Sequence, residues 1–101
     1  MSRRLELQTL LEMILGSRNV YYQPPASVMM RYPAIVYSRY DIENVHANNN
    51  VYAQHTAYSV TVIDKNPDSE FLKKISVLPL CSFDRHYVAD NLNHDVFTLY
   101  Y

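Results

Sequence analysis

Apolar positions recur along this chain with two different periods, and the places where the period changes mark out its elements. Leu7, Leu10, Leu11 and Ile14 stand at i, i+3, i+4 and i+7, with Leu5 and Leu15 flanking them. That spacing predicts a helix from Arg4 to Leu15 with one apolar stripe. Gly16 follows directly, where a residue without a β-carbon makes the easiest left-handed C-cap. Val20 to Gln23 reads as a short strand closed by Pro24 and Pro25, neither of which can donate to a ladder. Ala26 to Tyr32 reads as a connection carrying the apolar patch Val28, Met29 and Met30. Pro33 leads into a strand from Ala34 to Tyr40 that continues towards Val45. His46 to Asn50 reads as a turn, because asparagine tolerates left-handed geometry best among residues other than glycine. Val51 to Ile63 is a second long strand, so the two are expected to pair as an antiparallel hairpin. Tyr58, Val60 and Val62 alternate onto the face expected to meet the core.

Beyond Asp64 the period lengthens again. Asn66, Pro67, Asp68, Ser69 and Glu70 have the form of a helix start: a capping side chain, proline at the first helical position, then acids beside the positive end. Phe71, Leu72, Ile75 and Leu78 supply the stripe, and Pro79 stops it. Leu80 to Val88 and Asp95 to Tyr101 are the last two strand candidates, joined by a loop from Ala89 to His94. The closing run, Val96 to Tyr101, reads as tied into the sheet. The predicted order is α-β-β-β-α-β-β. It describes an α+β fold in which two helices pack on a mainly antiparallel sheet with a long β-hairpin. No repeat or linker interrupts it, so residues 1–101 are expected to form a single domain. The predicted core is Leu7, Leu10, Leu11, Ile14, Val36, Tyr58, Val60, Val62, Phe71, Leu72, Ile75, Phe83, Phe97 and Leu99.

Composition narrows the function classes. Hydrophobic residues are 49% of the chain and charged residues 19%, enough apolar material for one core and too little charge for a disordered polypeptide. Nine basic and ten acidic side chains leave a net charge of -1, without the basic stripe that displaces phosphate counterions. Sequence-specific nucleic-acid binding is therefore not expected. A single cysteine, Cys81, excludes an internal disulfide and fits a reducing cytoplasm. No apolar run is long enough to span a bilayer, and no membrane partner is expected. Ten tyrosines suit both half-buried strands and protein interfaces, because the side chain joins a rigid apolar body to a polar tip.

Candidate chemistry concentrates in Cys81, Asp84, Arg85, His86, Asp90, Asn91, Asn93, His94 and Asp95. The spacing of Cys81, His86, His94 and Asp95 matches no zinc pattern, and polar strand ends with a hydrogen-bonded loop account for the same residues. A hydrolytic site of two histidines and two aspartates is the enzymatic alternative. Cys81 and His86 stand five apart, so on one regular strand their side chains point to opposite faces, against a nucleophile–base pair. With one glycine the chain has no nucleophile elbow, phosphate-cradling loop or dinucleotide fingerprint. No catalytic residue, metal ligand or cofactor site is expected, and the chain reads as a protein that is not an enzyme.

Three segments carry a resemblance to a known family: Tyr32 to Tyr37; Tyr58 to Asp64 with Pro67, Asp68 and Ser69; and Phe83 to Phe97 with its Asp90-Asn-Leu-Asn-His-Asp95 run. Together they resemble the small tail-completion, or head–tail joining, proteins of long-tailed phages and prophages of Gram-positive bacteria. The resemblance extends from the first helix through the final strand. It implies a tail-terminator-like fold, assembly into a ring, expected to be a hexamer, at the head-proximal end of the tail tube, and no enzymatic activity. The partners implied are further copies of the chain, the tail tube protein and the head–tail connector protein, with the genome passing through the ring. The place implied is the virion tail or neck, assembled in the bacterial host cytoplasm. The neighbouring role in the same assembly is that of a head–tail connector adaptor or stopper.

A closed ring built from one chain needs two complementary patches per subunit. The hairpin from Ala34 to Ile63 is the candidate for one of them. Strands of that length exceed the usual run, so the tip at Asn48, Asn49 and Asn50 is expected to project beyond the core. Tyr40, Val45, Val51 and Tyr52 are then the residues expected, with the three asparagines, to contact a neighbour.

Overall fold

A computed structural model describes residues 3–25, 29–47 and 50–101, with residues 3 and 40–55 described in backbone only. The chain runs α1 (Arg3–Leu15), β1 (Val20–Tyr22), β2 (Ala34–Ala47), β3 (Asn50–Asp64), α2 (Phe71–Ser76), β4 (Cys81–Ala89) and β5 (Leu92–Tyr100). The five strands form one sheet in the order β1-β2-β3-β5-β4. Three of its ladders are antiparallel, and β1 runs parallel to β2, so the sheet is mixed.

Both helices cover one face. Leu7, Leu11 and Leu15 of α1 and Ile75 of α2 are buried with Val20, Ile35, Tyr37, Tyr58, Val60, Val62, Phe97 and Leu99. Register explains the membership: Ile35 lies opposite Val62, Tyr37 opposite Val60, Tyr58 opposite Leu99 and Val60 opposite Phe97. Pairs in register share a face. Leu10, Ile14, Phe71 and Leu72 pack on the rim of this cluster.

Two members of the predicted core belong elsewhere. Val36 pairs with Thr61 on the other face and is half-buried, while Ile35 and Tyr37 point to the helices. Ala34 to Tyr37 is apolar at every position, so its own alternation cannot choose a face; the pairing with β3 chooses. Phe83 does point to the helix side, edge-to-face with Phe97 at 5.4 Å, yet it is 58% exposed at its place on the outermost strand of the sheet.

Tyr37 shows how a buried tyrosine is accommodated. Its ring is wholly buried, its hydroxyl donates to Gln8 Oε1, and Arg4 Nη1 donates to it at 3.5 Å. Gln8 Nε2 in turn donates to the Val20 carbonyl at 3.0 Å, so one polar chain ties α1 to β1 and β2. Burial pushes the Tyr37 hydroxyl above its ordinary pKa.

The second helix is shorter than the stripe implies, beginning at Phe71 rather than at Pro67. Side chains have taken the amides that a first helical turn would leave free. Asp64 Oδ1 accepts from the Asn66 amide and Asn66 Oδ1 from the Asp68 amide, each at 3.0 Å, and Ser69 Oγ accepts from the Phe71 amide at 3.4 Å. Short polar side chains compete with helix in this way, giving successive turns before α2.

The predicted loop from Ala89 to His94 is also tighter than expected. Ala89 pairs with Leu92, leaving a two-residue turn of Asp90 (φ 53°) and Asn91 (φ 61°). Two left-handed residues match the strand twist at a tight hairpin, and Asn and Asp are the non-glycine residues that reach that region most readily. At α1 the expected cap is present: Gly16 has φ 76° and donates its amide to the Glu12 carbonyl at 2.9 Å.

Candidate functional site

The hairpin of β2 and β3 is the longest feature of the sheet, with strands of 14 and 15 residues. Among the described residues, strand neighbours pair with its base alone. β1 pairs with β2 at Ile35, Val36 and Tyr37, and β5 pairs with β3 from Ala57 to Asp64. From Asp41 to Ala47 and from Asn50 to Thr56 the two strands pair with each other and, among the described residues, with no third strand, apart from the Tyr101 amide donating to the Thr56 carbonyl at 3.1 Å. A seven-residue ribbon at ~3.4 Å per residue is roughly 24 Å long. The molecule is correspondingly elongated, 51 × 24 × 23 Å.

Two register shifts shape this arm, between Arg39 and Asp41 and between Val45 and His46. Tyr40 is the extra residue at the first, where the ribbon leaves the sheet. At the second, Val45 pairs with Ala53 and His46 with Val51, leaving Tyr52 as the extra residue. Bulges bend and twist a ribbon and re-aim its residues. Asn50 pairs with Ala47, while Asn48 and Asn49 lie outside the described residues. Of the seven residues expected at an assembly contact, Tyr40, Val45, Asn50, Val51 and Tyr52 are thus all on the arm or at its root.

Strands β4 and β5 hold the polar cluster, running from Cys81 near the root of the arm to the Asp90–Asn91 turn at the opposite end of the sheet, and there the structure separates what the sequence groups together. His86 pairs with Asp95, and His86 Nε2 lies 3.3 Å from Asn93 Oδ1. His94 pairs with Tyr87 on the other face, the two rings stacked at 4.6 Å. The two histidines therefore do not converge. Asp84 and Arg85 form an exposed ion pair at 2.8 Å. Among the described residues, no three of histidine, cysteine, aspartate and glutamate are placed to hold a metal ion.

Cys81 and His86 require a correction. The bulge between Phe83 and Arg85 breaks the alternation of β4, so Cys81, opposite Leu99, and His86, opposite Asp95, lie on the same face rather than opposite faces. They remain four ladder positions apart, roughly 14 Å along the strand, so they still form no nucleophile–base pair. Burial raises the Cys81 thiol above its usual pKa, which keeps it protonated and a weak nucleophile. Burial likewise raises the Asp95 carboxyl, with His86 and His94 pulling the other way. A surface depression of about 560 Å³ beside α2 is lined by Pro67, Asp68, Ser69, Glu70, Leu72 and Lys73.

Two surfaces escape sequence reasoning. On the sheet face turned from the helices, Val36, Ser38, Ser59, Thr61, Thr98 and Tyr100 are half-buried neighbours in register, with no lysine, arginine, aspartate or glutamate among them. The second is the edge strand β4, where every residue from Ser82 to Val88 is exposed. Alternation within single strands hints at the first, but only the strand order reveals the second. No helix of the described residues is long and apolar enough to cross a membrane. Set against known proteins, the chain matches no family model, no curated protein and no solved structure.

Proposed function

We propose that this chain is a phage tail-completion subunit of the tail-terminator kind, which assembles as a ring at the head-proximal end of the tail tube and joins tail to head. The arm carries this reading. An isolated two-stranded ribbon is at best marginally stable in water. A ribbon extending Val45, Val51 and two bulged tyrosines past the sheet gains most when a neighbour packs on it. The resemblance in Tyr32 to Tyr37, Tyr58 to Asp64 and Phe83 to Phe97 points to the same class, as does the arrangement of two helices on one face of a sheet with a long hairpin. A net charge of -1 keeps identical neighbours from repelling strongly.

On this reading the partners are further copies of the chain, expected as a hexamer, with the tail tube protein below and the head–tail connector protein above. The protein works in the virion neck without catalysing a reaction. An adaptor or stopper in the head–tail connector uses the same surfaces against a different neighbour. Tyr52→Asp, or deletion of Asn48 to Asn50, is expected to leave the subunit folded by circular dichroism and to block both ring formation and the joining of tails to heads. Normal joining by the Tyr52→Asp protein would refute the role given to the arm.

A further inference from the structure

We propose that the outer edge of β4 receives the hairpin arm of a second copy of this chain as an added strand. The contact rests on the assembly reading above and names the surface that the arm engages.

Among the described residues, β4 is the last strand of the sheet and pairs only with β5. Its outward amides and carbonyls, along nine residues, form the kind of open template that recruits another strand. Proteins blunt such edges with charge, proline, bulges or a covering element. Here there is one bulge and one ion pair, while Phe83, Tyr87 and Val88 stay exposed along the strand and Val77 and Leu80 beside its start. This edge is only partly protected.

The chain also carries the donor. Among the described residues, each arm strand has an outer edge without a ladder partner beyond the base of the hairpin. The uninterrupted stretches match in length: Arg85 to Ala89 on the edge and Asp41 to Val45 on the arm each hold five residues in unbroken register. Charge matches as well. The arm, residues 40–56, has Asp41 and Glu43 and no lysine or arginine, whereas α2 and β4 together carry Lys73, Lys74 and Arg85 against the single acid Asp84. Complementary charge steers the encounter and selects the partner.

Pairing of β4 with a second β4 fits less well. Centred on Arg85, an antiparallel pairing sets Phe83, on the helix side, against Tyr87, on the other side, because the bulge has broken the alternation between them. Arm and edge are different surfaces, so their union is head-to-tail. It repeats from copy to copy and closes when the rotation completes a circle.

A charge exchange tests the contact. One variant carries Asp41→Lys and Glu43→Lys on the arm; the other carries Lys73→Glu and Lys74→Glu beside the edge. Each alone is expected to keep its fold and to assemble at least about tenfold more weakly than the natural chain, read by light scattering. Mixed in equal amounts they are expected to recover assembly, because each arm then meets an edge of opposite charge. Zero-length carboxyl–amine crosslinking of the natural assembly, made from equal parts of two isotopic forms, should join Lys73 or Lys74 of one copy to Asp41 or Glu43 of another. Undiminished assembly of both variants, no recovery on mixing, or crosslinks between copies confined to other residues would each overturn the proposal while leaving self-assembly in place. Failure of the natural chain to assemble, even on tail tubes, would overturn the assembly reading and this contact with it.

Discussion

Replacing Leu11 with alanine probes the join between α1 and the sheet, on which the whole helix-covered face depends. Leu11 is fully buried within the cluster that includes Leu7, Tyr37 and Val60. The substitution removes three carbon atoms, which at ~0.8 kcal/mol per buried methylene is about 2.4 kcal/mol of lost transfer energy. The cavity left behind adds about 1 kcal/mol or more where the surroundings cannot collapse. A total near 3.5 kcal/mol corresponds to a fall in melting temperature of roughly 14–28 °C for a domain of this size. Met13 stands two residues on in the same helix but is 75% exposed, and Met13→Ala is expected to stay within ~0.5 kcal/mol of the natural chain. Thermal unfolding followed by circular dichroism reads both. A Leu11→Ala protein melting within a few degrees of the natural chain, or a Met13→Ala protein losing as much, would refute the assignment of the buried face.

The remaining predictions concern the β4–β5 hairpin. Asn91→Val forces a β-branched residue into a left-handed position (φ 61°) and should cost about 1–2 kcal/mol by urea denaturation, whereas Asn91→Gly should be close to neutral. Asp95 has a raised folded pKa, so the stability it contributes is fully present below the unfolded value, near 3.8, and is lost as pH rises through the folded value. Asp95→Asn should accordingly melt higher than the natural chain at neutral pH, with the gap closing in acid. Replacing both His86 and His94 with glutamine should leave the protein folded, because neither side chain is buried in the core. Loss of a bound divalent ion, or of a hydrolytic activity, in that double variant would favour the enzymatic alternative.

Legibility in the sequence followed how much each element depends on its own residues. The stripe Leu7, Leu11 with Gly16 behind it, and the alternation Tyr58, Val60, Val62, are local patterns, and both correspond to observed elements and buried faces. The face of β2 was not legible, because Ala34 to Tyr37 offers apolar side chains to both sides and only the partner strand decides. The start of α2 was misplaced since Asn66, Asp68 and Ser69 serve equally well as caps or as turn formers, and the energetic difference lies in surroundings that a sequence does not display. The bulge in β4 has no marker in Phe83, Asp84 and Arg85, yet it decides which of Cys81, His86 and His94 share a face. The arm was legible as a long hairpin from the strand lengths alone. That its distal half lacks a third strand follows only from where β1 and β5 end.

The most direct test of the central claim is the mass and shape of the natural protein, measured by light scattering and imaged by electron microscopy, alone and with purified tail tubes that lack a completing ring. The account predicts closed rings of one size, free or seated on one end of the tube, with a mass that is a whole multiple of 11.9 kDa. A protein that stays monomeric in both conditions, and leaves the tube ends bare, would contradict it.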